Sequence, residues 1–306
     1  MFKFSVIIPT YNRAELLEKT LIALTNQTLP KSLFEVIVVD DGGSDNSYSI
    51  CDSFKKCLNI RYYWQYDNGF RAGKARNLGI SVAEGEYLLF IDSGILLHED
   101  ALNRHLHIHT KNNHPVVCIG YVYAFEVNEE HHDYIERIIN PNEIGSCIEK
   151  LKDLGFLDIR QIQYDEFGYN VSSWPAPFDI LWTCHVSVEK KEAISAGLFD
   201  ESFNTWGGED VDLGVRLHQR NNRFIVSTDL CSIHSPHKKE VSNHDLATKS
   251  AGAKIHDKYK MWQTAFYMTD SNETKFSLNK IIYLYAQDNV GESNAILQKY
   301  LHKQTQ

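Results

Sequence analysis

Phe4-Ser5-Val6-Ile7-Ile8-Pro9-Thr10-Tyr11-Asn12-Arg13 is an almost unbroken apolar run that stops at a proline and passes into polar residues. A strand covered by helices on both faces reads this way, because neither face needs polar side chains. Residues 14–26 follow with leucines at helical spacing, Leu17, Leu21 and Leu24. A second buried strand, residues 34–39, runs into Asp40-Asp41-Gly42-Gly43. Residues 48–58 read as a helix, 59–65 as a third strand and 74–83 as a helix. Residues 87–91 form a fourth strand ending in Asp92-Ser93-Gly94. Strands alternating with helices predict an α/β fold with a mostly parallel central sheet flanked by helices. Ligands in such sheets bind beyond the carboxyl ends of the strands. Tyr11, Asp41 and Asp92 all fall at such ends.

After residue 115 the alternation becomes irregular. Residues 116–125 read as a strand, 128–151 as charged and helical, and 161–182 as an aromatic, loop-rich stretch. Residues 223–228 look like a strand, and 254–306 read as mostly helical and amphipathic. A chain of 306 residues, 43% hydrophobic, can bury a large core. Its formal charge of -9 argues against nucleic acid as the main partner, since phosphate backbones want a basic surface. No apolar run approaches a membrane span, and the first strand begins without a signal-peptide pattern, so a cytoplasmic protein is expected. The six cysteines lack metal-ligand spacing and read as free, mostly buried thiols. His105, His107 and His109 lie in a helical stretch, where alternate residues fan out, and are expected to be solvated or core side chains.

Trp206-Gly207-Gly208-Glu209-Asp210 is the densest chemical signal. Two acids follow a flexible glycine pair and a large aromatic, just before a helical run. Glycines allow close backbone approach to a ligand. An indole can cover a sugar face, and a carboxylate can take a proton from an attacking hydroxyl. The plainer reading is an acid-capped helix start, where negative charge is favoured anyway.

Five features occur in a fixed order. They are Pro9-Thr10-Tyr11-Asn12-Arg13, Asp40-Asp41, the Gly69 to Gly79 stretch with Ala75-Arg76-Asn77, Asp92, and Gly197-Leu198-Phe199-Asp200-Glu201 leading to the Trp-Gly-Gly-Glu-Asp segment. Together they resemble the GT-A glycosyltransferases, family 2 in particular. The last segment is similar to an acceptor-side signature of chondroitin-polymerase-type and galactosyltransferase enzymes. The resemblance implies a GT-A fold with a nucleotide-sugar-binding half in residues 1–115. It also implies an acceptor-binding, catalytic half of the same domain in 116–250 and a helical extension in 251–306.

It implies a UDP-sugar donor as well, and an acceptor hydroxyl (less simply a thiol) on a glycan, peptide or small molecule. Pro9, Tyr11, Arg13, Asp41, Arg76, Asn77 and Asp92 would bind the nucleotide, Tyr11 by stacking on uracil and Asp41 by accepting its imide N–H. For Asp40 and Asp41 the residues alone leave turn capping open. Arg71 and Lys74 add positive charge nearby, with Lys74 equally suited to solvent. Trp206, Gly207, Gly208 and Trp182 would line the sugar and acceptor side, with core packing the alternative for Trp182 and Trp174. Asp210 would be the general base, Glu209 would hold the acceptor or support Asp210, and inversion is the simplest outcome.

Two departures stand out. Gly94 replaces the second acid of the usual Asp-x-Asp pair, which removes a hard oxygen ligand. His234, with His237 as the weaker candidate, would then complete a site with Asp92 for manganese, magnesium being the alternative. The second departure is Trp182-Thr183-Cys184-His185, where bulky groups stand in place of glycines and reshape the donor pocket. A catalytically inactive nucleotide-sugar-binding protein and a nucleotidyltransferase are the competing readings. The first would account for Gly94, and the second would want a glycine-rich loop with a lysine after the first strand.

Overall fold

A computed structural model of the chain describes residues 1–125, 127–237, 244–268 and 278–288. The first half runs β1 (Phe4–Thr10), α1 (Ala14–Thr25), β2 (Phe34–Asp40), α2 (Ser47–Ser53), β3 (Ile60–Trp64), α3 (Ala72–Val82), β4 (Tyr87–Ile91), β5 (Ile95–Leu97) and α4 (Ala101–Lys111). The second half runs β6 (Val116–Tyr123), α5 (His132–Ile138), α6 (Ile144–Asp153), α7 (Gln161–Phe167), β7 (His185–Glu189), α8 (Lys190–Ser195), α9 (Glu209–Gln219) and β8 (Arg223–His234). It closes with α10 (His244–Tyr259) and α11 (Leu278–Asp288). The expected helical extension of 251–306 falls partly outside the described residues.

The strands make one eight-stranded sheet in the order β3-β2-β1-β4-β7-β6-β8-β5. β1, β2, β3 and β4 pair in parallel, with Thr10 opposite Asp40 and Asp40 opposite Trp64. Parallel register aligns their carboxyl ends, so Tyr11, Asp41, Gln65 and Asp92 leave the sheet along one edge. β7 then runs antiparallel to β4, with His185 opposite Ile91, and so begins where β4 ends. β6 is antiparallel to β7 and parallel to β8. The sheet is therefore parallel in the first half and mixed in the second.

Alternate residues of the parallel strands feed two cores, as the period of two requires. Val6, Ile8, Val36, Val38, Leu89 and Ile91 meet Leu17, Leu21 and Leu24 of α1. Ile7, Ile37, Val39 and Phe90 face the other way, toward Ala75 and Ile80 of α3.

Three details differ from the expectations. The helical stretch 128–151 is two helices, because Pro141 lies between α5 and α6 and cannot supply a helical N–H. The strand expected over 223–228 continues to His234, past an irregularity opposite Gly120 and Tyr121, and there meets β5 antiparallel with His234 opposite Ile95. His105 and His109 do not fan out. Four residues apart on α4, they share its buried face, while His107 is exposed.

Those two histidines join a polar chain through the core. His105 Nε2 meets His185 Nε2 at 3.0 Å, and Ser187 Oγ lies 2.8 Å from both His105 Nδ1 and His109 Nε2. His185 Nδ1 reaches Ser232 Oγ at 2.9 Å, and its ring occupies the space that a side chain at Gly120 would need. Burial holds all three imidazoles neutral. It takes His109 down to about 4 and His185 to about 3, and lowers His105 well below the usual range. The unfolded chain, with histidines near 6.5, therefore binds more protons than the folded one below that pH. The contribution of these histidines to stability should be full above pH 6.5 and fall progressively toward pH 4. Urea denaturation of wild type and His109→Gln across pH 4.5–7.5 checks this, with the shallower dependence expected in the variant.

Candidate active site

The loops after β1 and β2 are tied to each other before any ligand arrives. Asn12, at φ 50°, accepts the Ser44 N–H through Oδ1, and Asp45 accepts the Ala14 N–H at the start of α1. The adjacent acids divide the work. Asp40 is spent on structure, accepting from the Gly43 N–H at 2.6 Å and the Tyr62 hydroxyl at 2.7 Å. Asp41 Oδ1 accepts from Gln65 and from the Arg71 guanidinium, and Oδ2 accepts the Arg71 backbone N–H at 2.9 Å. Tyr11 stands at the same rim with an exposed ring, its hydroxyl donating to Asp67. Arg13 is half-buried at the start of α1, Pro9 is half-buried at the end of β1, and Lys74 is exposed.

At the end of β4, Asp92 is 44% exposed, and its Oδ1 accepts from Arg76 NH2 at 2.9 Å. Arg76 itself is only 4% exposed. Its other terminal nitrogen donates to Glu209 Oε1 at 3.0 Å, and the Phe199 ring lies 5.6 Å from the guanidinium. Asn77, one residue along α3, is used by the opposite half. It donates to the Phe199 carbonyl and Glu201 and accepts the Phe199 N–H. That engagement positions the turn at 199–201 and spends the amide there.

The acid pair opens α9. Gly207 and Gly208 have φ of 85° and 97°, where a side chain would be strained, and Gly208 is the residue that starts the helix. Glu209 is buried and Asp210 half-buried, with Asp210 Oδ1 accepting the Val211 N–H at 2.8 Å. Burial, then the Glu209 carboxylate, push the Asp210 carboxyl up to about 7; Arg76 and the Val211 N–H oppose this, and Asp92 adds to it. A carboxyl so placed changes charge close to neutral pH. Trp206 is 40% exposed beside it.

Several residues that hold the site were not legible in the sequence. Asp212, fully buried one turn into α9, accepts from Arg216, from Lys258 at 2.7 Å and from the Tyr259 hydroxyl at 2.7 Å. Lys258 also pairs with Asp200, so α10 is fastened to both α9 and the 199–201 turn. Asp179 accepts the Tyr267 hydroxyl and the Leu278 N–H, fixing the start of α11. The only sequence signal for Asp212 was its spacing of three from Glu209, which does not distinguish an anchor from a surface acid.

Trp174 belongs to the core, with its indole N–H on the Gly168 carbonyl. Trp182 packs against Phe125 at 5.6 Å with the Arg160 guanidinium over its ring at 5.0 Å, so its faces serve packing. His234 lies 5.1 Å from both the Phe125 and His237 rings. The Ser235 N–H bonds the Gly94 carbonyl at 2.8 Å, which brings the end of β8 beside the segment that starts with Asp92. Gly94 has φ 99° and is buried against Leu16, so the backbone here disfavours a carboxylate side chain. Among the described residues no three His, Cys, Asp or Glu side chains are gathered for a metal. Asp92 and His234 offer one carboxylate and one imidazole on adjoining segments. That donor set suits a cation completed by diphosphate and water.

Residues 5–182 match the family model described as Glycosyl transferase family 2. The validoxylamine A glucosyltransferase of Streptomyces hygroscopicus subsp. jinggangensis (strain 5008) is 34% identical over 239 residues, covering 77% of this chain and 56% of that protein. The chain thus spans little more than half the length of that curated relative. Among solved structures, S. aureus TarS 1-349 in complex with UDP-GlcNAc matches with a TM-score of 0.61 at 20% identity, over 98% of this chain and 80% of that one. The mannosyltransferase PcManGT from Pyrobaculum calidifontis, in complex with GDP-Man and Mn2+, matches with a TM-score of 0.59 at 15% identity, over 98% and 73%. At such identities the likeness is one of fold. No helix among the described residues is long and apolar enough to cross a membrane.

The raised Asp210 carboxyl has a consequence for stability that needs no substrate. Between the ordinary carboxyl range and about pH 7 the folded protein binds more protons than the unfolded chain, so this group costs stability as pH rises. Asp210→Asn should therefore be more stable than wild type at pH 8 and indistinguishable from it near pH 4. The gain should be roughly 1–2 kcal/mol, since each tenfold rise in proton affinity is worth about 1.4 kcal/mol and partial exposure screens the effect. Paired urea titrations at the two pH values measure this.

Proposed function

The chain belongs to glycosyl transferase family 2, and on that premise we propose that it moves a sugar from a UDP-sugar to an acceptor hydroxyl, with Asp210 as general base. The observation that carries the reading is the continuous path from the nucleotide edge to the acid pair. Asp92 at the end of β4 joins Arg76, Arg76 joins Glu209, and Asp210 follows as a half-buried carboxyl raised toward neutrality. A hydroxyl lying between Asp210 and the donor would lose its proton to that carboxylate while its oxygen bonds the anomeric carbon. The bond from that carbon to the diphosphate oxygen breaks on the opposite face, which inverts the centre. Glu209 supports Asp210 electrostatically, and Trp206 offers its exposed face to the acceptor sugar.

Uracil suits the Asp41 pocket by a count of acceptor positions. A carboxylate oxygen takes about two hydrogen bonds. Asp41 Oδ1 already has two, and Oδ2 has one, from the Arg71 N–H. A single position remains, which matches the one imide N–H of uracil, whereas guanine presents two donors side by side. In this reading Asp92 and His234 would hold a divalent cation, manganese or magnesium. Such a cation supplies neutralisation of the charge that builds on the leaving group.

Two measurements test the reading. UDP release should be followed over a panel of UDP-sugars with and without manganese, using slow hydrolysis by water when no acceptor is supplied. Wild type should show manganese-stimulated release. Asp210→Asn should bind UDP normally and lose about 10²–10⁴ in rate, the usual worth of a general base. Absence of release from every donor would turn the reading toward a binding protein. In calorimetry UDP should bind more tightly than GDP by roughly 1–3 kcal/mol, and equal affinities would remove Asp41 from base recognition.

A further inference from the structure

The arginine at the centre of the site has too little freedom to be a diphosphate clamp. A clamp must present donors to the open cleft and adapt to a ligand. Arg76 is 4% exposed and its fork is already divided, NH1 on Glu209 and NH2 on Asp92. Its guanidinium lies over Phe199, and its Nε–H is buried without a hydrogen-bond partner among the described residues, as is Glu209 Oε2. The rest of α3 addresses the same segment. Asn77 clasps the Phe199 backbone in both directions, and Gly73 leaves just enough room for Phe199 and the Glu209 stem, which lie 3.3 Å and 3.6 Å from where its Cβ would be. Gly73, Arg76 and Asn77 of one helix thus all meet the stretch from Phe199 to Glu209.

We infer that Arg76 is the positioning residue of the acid pair: its planar fork sets the separation between Asp92, at the donor's diphosphate end, and Glu209, and through Glu209 fixes where Asp210 stands. Arginine suits this task and lysine does not, because a point charge cannot hold two carboxylates in one plane at a set distance. Small displacements matter here, since an error of about 1 Å in a reacting group can cost 10²-fold in rate. The inference rests on Asp210 as the base, proposed above.

The test compares Arg76→Lys, Glu209→Gln and the double variant by UDP–manganese calorimetry, thermal melting and the kinetics of donor hydrolysis. Positioning predicts that each single variant keeps its UDP affinity and donor KM within about threefold while kcat falls by about 10²-fold. The double variant should lose little more than the worse single one, because both changes break the same bridge. A clamp predicts the opposite. UDP affinity would fall about tenfold or more in Arg76→Lys, with the loss of a charge-assisted phosphate bond, and the two effects would multiply; that outcome overturns the proposal. If Arg76→Lys does not fold, Glu209→Gln decides alone, and unchanged kcat in it overturns the proposal too. Asp210→Asn run alongside separates the two ideas. Full turnover in that variant removes the base assignment, while the bridge is still judged by UDP affinity and the double variant.

Discussion

A buried guanidinium between two carboxylates is the constraint on which this site turns. Removing Arg76 from water is costly, and only well-oriented opposite charges can offset that cost. Asp92 supplies one from the end of β4, and Glu209 supplies the other from the start of α9. The arrangement has a strong asymmetry. Two carboxylates share one guanidinium, so loss of Arg76 leaves the Glu209 carboxylate buried without its partner, whereas loss of either acid leaves the guanidinium one partner. The two halves of the sheet are thereby held to one geometry at the point where chemistry would occur. The same three charges also act on Asp210, which the acids push up and the arginine pulls down.

Around that centre the fold supplies rigid supports of two kinds. The parallel strands β1 to β4 align their carboxyl ends, so loops distant in sequence meet at one edge without further adjustment. The second kind is a set of buried acids that fasten later elements. Asp212 holds α10 through Lys258 and Tyr259, and Asp179 holds the start of α11. Neither acid faces the proposed reaction. Each keeps a neighbouring segment in place, so the acid pair opens from a helix with fixed surroundings.

The departure at Gly94 acquires a physical reason from its surroundings. Position 94 sits at positive φ, buried against Leu16, with its carbonyl taken by Ser235 and its N–H by the Thr20 hydroxyl. A second carboxylate there would be strained in its backbone and directed into an apolar contact. The lone exposed carboxylate at Asp92, with β8 ending beside it, follows from that packing.

How much of this was legible differs from residue to residue. Local pattern located the four parallel strands and α1 to within a residue or two. β1, β2 and β4 are buried on both faces and read as apolar runs, while β3, at the sheet edge, showed only as a short aromatic stretch between helices. The order of short motifs carried the family, and chain order at strand ends placed Tyr11, Asp41 and Asp92 on one edge. β5 escaped notice because three residues carry no period, and β7 because its buried His185 and Ser187 break the apolar pattern of a core strand. The split between Asp40 and Asp41, the engagement of Asn77 and the pairing of His105 with His185 could not be read either. Each depends on a partner some 20 to 120 residues away, whose approach is set by sheet order and helix packing. Residue type and local spacing determined which groups could do chemistry. Only tertiary packing decided which of them are spent on holding the fold and which remain for a ligand, because a hydrogen bond or ion pair is used up by whichever group the fold brings within reach.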